Sequence, residues 1–259
     1  MRLRVKIIVF TLFLLLLLPT LAEAKGGWFN QQSKPRLSLF IGMDISGSFM
    51  RGKYFDDSVN FLAHYIYAHL HGLGGLDVPA VLFISSIGGD KPNEPKTFYP
   101  IQAFEHKSVD EIRAKLKEIF PKKKENPFTD YNSFFKHVAE TVRDKKLVLR
   151  PVTIVLISDG QPDFPDRKND YRRIQLLPLE NLSRNITIRL LYTSAEVGSR
   201  WTSKIPRRRV KIWTQDAEAM VLWKDPNILL PGKSIEQQTR FLEWAKDNVD
   251  FGVRGKRVD

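Results

Sequence analysis

From residue 36 onward, short apolar runs alternate with longer amphipathic stretches. Residues 37–43 (LSLFIGM), 80–87 (AVLFISSI), 152–158 (VTIVLIS) and 186–192 (ITIRLLY) are rich in β-branched and aromatic side chains. Two of these runs are almost uninterrupted, the pattern of strands covered on both faces by helices. A fifth run, 209–214 (RVKIWT), is more polar and is expected nearer an edge. Between the runs, apolar residues recur at three- and four-residue steps, as on one face of a helix. Phe55, Val59, Leu62, Ala63, Ile66 and Leu70 mark one helix over 54–70; Ile112, Leu116 and Phe120 mark another over 110–120, after the start signal Ser108. Phe134, Phe135, Val138 and Val142 mark a third over 130–143. A fourth is predicted over 235–249, with Phe241, Leu242, Trp244 and Ala245 available to dock back. Alternation of this kind predicts an α/β fold with a doubly wound, mainly parallel sheet and right-handed crossovers. Residues 88–100 break the pattern and predict a loop or an antiparallel edge strand at 97–99.

The start of the chain has a different character. Arg2, Arg4 and Lys6 precede an apolar run, Ile7 to Leu18, followed by Pro19 and Ala22-Glu23-Ala24. A basic segment, a short apolar core and an A-x-A ending predict a signal peptide over 1–24, cut after Ala24. An uncut anchor is the alternative, but the run is shorter than the roughly 20 residues that span a bilayer. The expected organisation is a lead at 25–35, a main domain at 36–224, and an extension at 225–259 ending in a charged tail. The expected location is the periplasm or the medium outside a bacterial cell. With no cysteine among 259 residues, disulfide frameworks, thiolate metal sites and cysteine nucleophiles are excluded. Hydrophobic residues at 42% and charged residues at 27% exclude collagen-like and disordered classes. Loss of the signal removes three cations and one anion, so the net charge of +12 becomes +10.

In open α/β sheets, ligands bind where loops leave the carboxyl ends of strands. Three such loops carry a consistent oxygen inventory: Asp44-Ile45-Ser46-Gly47-Ser48, Thr129 ahead of the third helix, and Ser158-Asp159-Gly160. Two carboxylates with three hydroxyls, and no imidazole or thiol, suit a hard cation such as Mg²⁺. Each piece alone reads better as a cap or a turn; the three together favour metal binding.

The set resembles the von Willebrand factor A (VWA) domain family and its metal-ion-dependent adhesion site (MIDAS), over about residues 36–224. The resemblance implies a cation, Mg²⁺ first with Mn²⁺ or Ca²⁺ as alternatives. Ser46, Ser48 and Thr129 would hold it by hydroxyls, and Asp44 and Asp159 directly or through water. The third motif more often reads Thr-Asp-Gly, whereas this chain has Ser158. The function implied is protein–protein interaction with no catalysis: a partner's carboxylate completes the coordination sphere, with Phe49, Arg51, Phe128 and Phe164 as rim candidates.

Two other functions compete, a Mg²⁺-dependent phosphoryl transferase or hydrolase on the same loops and a metal-free envelope scaffold. Ser46 and Ser48 in place of a nucleophilic carboxylate weigh against the first. No G-x-S-x-G elbow and no phosphate-binding Gly-Lys-Ser/Thr ending occur. Asp163, Asp166 and Asp170 read as a solvated loop, and His64, His69 and His71 as packing or surface residues, since their spacing forms no zinc face. Lys122 to Lys124 precede Thr129 and suit the steering of an acidic partner. Anionic envelope components are further candidate partners, nucleic acid is not expected, and membrane contact is expected only through an uncut signal segment.

Overall fold

The computed structural model describes residues 35–250, apart from 92, 123–127, 165, 167, 168, 183 and 184. The expected signal peptide, most of the lead and the charged tail lie outside the described residues. Six strands form one sheet: β1 (Leu37–Met43), β2 (Pro79–Ser86), β3 (Tyr99–Pro100), β4 (Val152–Ile157), β5 (Ile186–Thr193) and β6 (Lys211–Asp216). Their spatial order is β3-β2-β1-β4-β5-β6. All neighbours are parallel except β3, which runs antiparallel to β2 with Tyr99 opposite Ile84. The doubly wound sheet with one antiparallel edge strand is therefore present, within two residues of the expected strand boundaries. Pro100 is tolerated because β3 is an edge, where one side of the ladder is unpaired.

The alternation within the strands explains why both faces are covered. In β1, Leu37, Leu39, Ile41 and Met43 enter one core while Phe40 enters the other. Helices α2 (Phe55–Leu70), α3 (Val109–Ile119) and α8 (Thr239–Asn248) contribute to the first core. Helices α4 (Tyr131–Asp144) and α6 (Ala195–Lys204) contribute to the second. Short helices α1 (Gly47–Met50), α5 (Leu177–Glu180) and α7 (Ala217–Met220) join them. Helix α3 starts with a reciprocal capping box: Glu111 N–H donates to Ser108 Oγ (3.3 Å), and Ser108 N–H donates to Glu111 Oε2 (2.8 Å). Ser108 thus acts as the start signal predicted for it.

Two elements differ from the pattern read in the sequence. Helix α6 was not expected, because only Val197 and Trp201 give it a buried apolar stripe. Its tight seat is made by Gly198, where an added Cβ would lie 2.8 Å from Thr214 Oγ1 of β6. The helix predicted over 235–249 is interrupted: a 3₁₀ turn covers Ile235–Gln237, and α8 begins at Thr239. Gln238 sits between them at φ −88° and ψ 54°. Its buried amide donates to the carbonyls of Leu230 (2.7 Å) and Lys233 (3.0 Å) and accepts from Leu230 N–H (2.7 Å). Tying down that loop holds Gln238 out of helical geometry. Phe241, Leu242 and Ala245 of α8 dock on the first core as expected, and Trp244 is partly buried against it.

Candidate metal centre

The strand order reverses between β1 and β4, which makes the carboxyl ends of those strands the topological switch point of the sheet. Asp44 and Asp159 both stand there. Parallel pairing sets Met43 opposite Ile157, and Asp44 N–H donates to Ile157 O (2.9 Å). Each acidic loop thus leaves the sheet beside the other.

The side chains are linked in sequence. Asp44 is fully buried. Its Oδ1 accepts the Ser46 N–H (2.8 Å) and its Oδ2 accepts the Ser158 hydroxyl (2.5 Å). Ser158 has only one proton to give, so its Oγ accepts from Gly160 N–H (2.9 Å) and from Tyr131 OH (2.6 Å). On the solvent side, Ser48 Oγ donates to Asp159 Oδ2 (3.1 Å) and lies 3.1 Å from Ser46 Oγ. Asp159 Oδ1 accepts Gln161 N–H (3.0 Å). Four of the five residues expected at the site therefore belong to one hydrogen-bonded cluster.

Thr129, buried, joins this end of the sheet through backbone and neighbours. Its carbonyl accepts the N–H of Asp163, in the loop after Asp159 (3.3 Å). Two residues on, Tyr131 reaches Ser158. Asp130, not Thr129, caps α4 by accepting Ser133 N–H (2.9 Å), and its other oxygen accepts Asn93 N–H (3.0 Å). The cap therefore does not consume the Thr129 hydroxyl. Gly89 N–H donates to Phe128 O (3.2 Å), and at Gly88 an added Cβ would fall 1.7 Å from that carbonyl and 3.3 Å from Thr129 Cα. Only glycine permits this approach. We expect Gly88→Ala to displace the Phe128–Thr129 segment, costing about 1–3 kcal/mol of stability and about tenfold in cation affinity, read by calorimetry with Mn²⁺.

Electrostatics favour a positive charge at this point. Burial, then the adjacent Asp159 carboxylate, push Asp44 up from 3.8 to about 6, against the hydrogen bonds from Ser158 and Ser46 that pull it down. Burial first, and then Asp44 and Asp159, raise the Tyr131 phenol well above its ordinary range, so it remains a donor. Among the described residues no three His, Asp or Glu side chains come together as a metal-binding group. A cation here would rest on two carboxylates supplemented by hydroxyls, a donor set that fits Mg²⁺ or Mn²⁺.

Near the carboxyl end of β5, the ladder slips between Leu191 and Thr193, and Tyr192 takes φ 70°. This bulge aims Thr193 Oγ1 at the Asp159 carbonyl (2.8 Å). Trp201 Nε1 holds the next carbonyl, that of Gly160 (2.7 Å). A cleft of about 380 Å³ opens beside Ser48 and Asp159, with Tyr54, Tyr192, Asp216 and Glu218 in its walls.

Parallel strands in this order, with the D-x-S-x-S loop, Thr129 and the Ser-Asp-Gly turn at one edge, decide the architecture. The fold is VWA-like. No protein-family model and no curated protein sequence matches the chain. Among solved structures, the VWA-like chain is similar to the pilus adhesin SpaC of Lactobacillus rhamnosus GG, with 10% identity over 84% of this chain and 31% of that one, at a TM-score of 0.48. Proximal thread matrix protein 1 from the mussel byssus shows 10% identity over 72% of this chain and 46% of that one, at 0.46; a further structure of it has a zinc-occupied MIDAS motif. Manganese-loaded TRAP protein of Plasmodium vivax shows 18% identity over 73% and 72%, at 0.45. The chain spans less than half of the mussel protein and about a third of the pilus adhesin.

Several expectations about the surroundings change in the VWA-like domain. Phe49 is not a rim residue: α1 turns it inward, where it is 3% exposed and packs edge-on to Phe55. Phe128 and Phe164 are half-buried and Arg51 is exposed; the Phe164 ring lies under the Arg173 guanidinium at 4.2 Å. Lys122 pairs with Asp56 (2.5 Å), while Lys123 and Lys124 lie outside the described residues. Asp166 pairs with Arg173, and Asp170 caps a 3₁₀ turn. Ser158 and Tyr131, which orient Asp44, were not expected as part of the site. The Ser-Asp-Gly motif pointed to its carboxylate and concealed the work of the preceding hydroxyl.

Proposed function

We propose that this chain is an exported binding protein that holds one divalent cation, Mg²⁺ by preference, with Asp44, Ser46, Ser48, Thr129 and Asp159, and presents it to a carboxylate of a partner protein. The observation that carries this reading is the buried Asp44 set beside Asp159 with hydroxyl donors and, among the described residues, no basic side chain hydrogen-bonded in the cluster. Such a pair of carboxylates is costly without a cation. When bound, the ion supplies a Lewis-acidic position with affinity for a carboxylate oxygen. The chain's own residues orient the donors: Ser158 and Tyr131 fix Asp44, Thr193 and Trp201 fix the Asp159-Gly160 turn, and the exposed edge at Ser48 leaves one side open. Binding is favoured over catalysis because both carboxylates are engaged with hydroxyl and backbone donors, and no imidazole or thiol joins the cluster among the described residues.

Titration calorimetry of the chain and of Ser48→Ala with Mg²⁺ and Mn²⁺ tests the reading. One site is expected in the natural chain, weakened about tenfold or more in the variant. Equal binding by the two proteins, or none by either, contradicts it.

A further inference from the structure

At the amino-terminal edge of the sheet, opposite the metal centre, the loops before β4 and β6 carry exposed cations around an exposed leucine. Two residues beyond the end of α4, Lys146 takes φ 56°, and Leu147 N–H donates back to Val142 O (2.8 Å). This αL turn sends Leu147 into the second core and leaves Leu149 outside at 90% exposure. Lys145 and Lys146 precede that leucine and Arg150 follows it. Two strands away, the loop into β6 exposes Arg207, Arg208 and Lys211. Its shape is set by Glu180, whose carboxylate accepts the N–H groups of Arg208 (2.7 Å), Arg209 (3.0 Å) and Val210 (3.3 Å). The acid nearest this loop is thus engaged with backbone. Among the described residues, no carboxylate pairs with Lys145, Lys146, Arg208 or Lys211. Strands lie about 4.8 Å apart, so the β4 and β6 loops start only about 10 Å from each other.

We propose that this edge docks on an anionic lipid bilayer, with Leu149 entering the headgroup region and the surrounding cations contacting acidic headgroups. Cations at an anionic surface and one inserted aliphatic side chain act together, whereas a soluble polyanion makes no use of the leucine. The chain also enters the domain at this edge: Pro35 precedes β1, and its carbonyl accepts from Arg150 Nη1 (3.5 Å). The apolar run Ile7 to Leu18 precedes it in sequence. Docking in this orientation turns the metal centre away from the lipid, a strand's length of about 20 Å above the contact. It gives the protein a membrane contact independent of an uncut signal segment, and it does not depend on a bound cation.

Vesicle co-sedimentation in the presence of chelator tests it, using both the full chain and a chain starting at residue 25. The shorter chain retains the whole compact unit that begins at Pro35. Binding is expected to vesicles of phosphatidylcholine with phosphatidylglycerol, to weaken with salt, and to be lost on pure phosphatidylcholine for the shorter chain. The triple variant Lys145→Gln/Arg208→Gln/Lys211→Gln should lose about fivefold per cation, on the order of 100-fold in all. The equally charged control Lys107→Gln/Lys117→Gln/Lys233→Gln should lose no more than a few-fold. Leu149→Ser should weaken vesicle binding while leaving binding to soluble polyglutamate unchanged. Failure of the shorter chain to bind anionic vesicles, equal losses in the two triple variants, or a Leu149→Ser variant indistinguishable from the natural chain each overturn the proposal.

Discussion

Replacing Asp44 with asparagine is expected to stabilise the metal-free protein and, if the proposed cation site is correct, to abolish the stabilisation expected from Mg²⁺ in the natural chain. The reason is the cost of ionising a buried carboxylate next to a second one. Asp44 titrates near 6 in the folded chain against 3.8 as its ordinary value, through burial and then Asp159. Its protonated form is therefore the one the metal-free fold favours. That contribution to stability is fully present below 3.8 and is lost as pH rises through about 6, so near neutral pH the ionised group costs on the order of 3 kcal/mol. An amide carries no charge, but it loses part of the hydrogen bonding with Ser158, worth about 1 kcal/mol. The net gain in chelator is on the order of 1–2 kcal/mol, roughly 3–6 °C in melting temperature. Under the proposed function a cation should reverse the order, because a ligand at about 100 times its dissociation constant adds about 2.7 kcal/mol to the natural chain alone. Thermal melts of both proteins, with chelator and with Mg²⁺, should therefore cross over. A variant less stable than the natural chain under both conditions would give Asp44 a purely structural role.

Replacing Asp250 with alanine is expected to cost about 3–5 kcal/mol, the largest single loss away from the candidate metal centre. The residue lies just beyond α8, yet it is the counter-charge for Arg189 in the middle of β5. That guanidinium is 1% exposed, its Nε lies 3.5 Å from Asp250 Oδ1, and it also donates to the Val249 carbonyl. Tyr65 OH donates to the same carboxylate oxygen (3.0 Å), and His69 Nε2 lies 3.2 Å from the other. Removing the acid leaves a cation inside the first core and detaches the end of α8.

The pH dependence of this cluster has a defined sign. Burial opposes protonation of His69, but the hydrogen bond and charge of Asp250, with the Asp77 carbonyl, outweigh it and raise the imidazole above 6.5. Burial likewise opposes ionisation of Asp250, yet His69 and Arg189 hold it below 3.8. The His69 contribution is complete below 6.5 and fades as pH rises past the folded value. The Asp250 contribution is complete above 3.8 and is lost as pH falls below it. Urea unfolding should therefore show the largest gap between natural and variant chains between pH 3.8 and 6.5, narrowing at alkaline pH. The double variant Arg189→Met/Asp250→Asn should lose less than Asp250→Ala alone, since no buried charge is left over.

The parts of the molecule legible in its sequence are those whose signal is local. Strands β1, β4 and β5 announce themselves as short runs rich in β-branched and other large apolar residues, and Ser108 with Glu111 announces a helix start. The D-x-S-x-S and Ser-Asp-Gly segments are each contiguous, and the alternation of strands and helices brings them to one edge. The remaining features depend mainly on partners distant in sequence. Ser158 orients Asp44 only because Tyr131 and Gly160 occupy its other hydrogen-bonding positions. Phe49 directly follows the D-x-S-x-S loop in sequence, but the chain there continues into a helical turn that buries it. Helix α6 shows two large apolar residues, Val197 and Trp201, too few for a periodic stripe. Arg189 reads as a polar residue in a strand, and its counter-charge stands 61 positions later in the sequence. Gln238 looks like any helical glutamine until its amide is seen to bind the loop from Leu230 to Lys233.

The most direct measurement of the central claim is anomalous diffraction at the manganese edge from crystals of the chain soaked in Mn²⁺. A single strong peak is predicted at the carboxyl ends of β1 and β4, with the hydroxyls of Ser46 and Ser48 about 2.1 Å from it and Asp44, Thr129 and Asp159 around it directly or through water. No peak there at saturating Mn²⁺, or a peak held by other residues, contradicts the account.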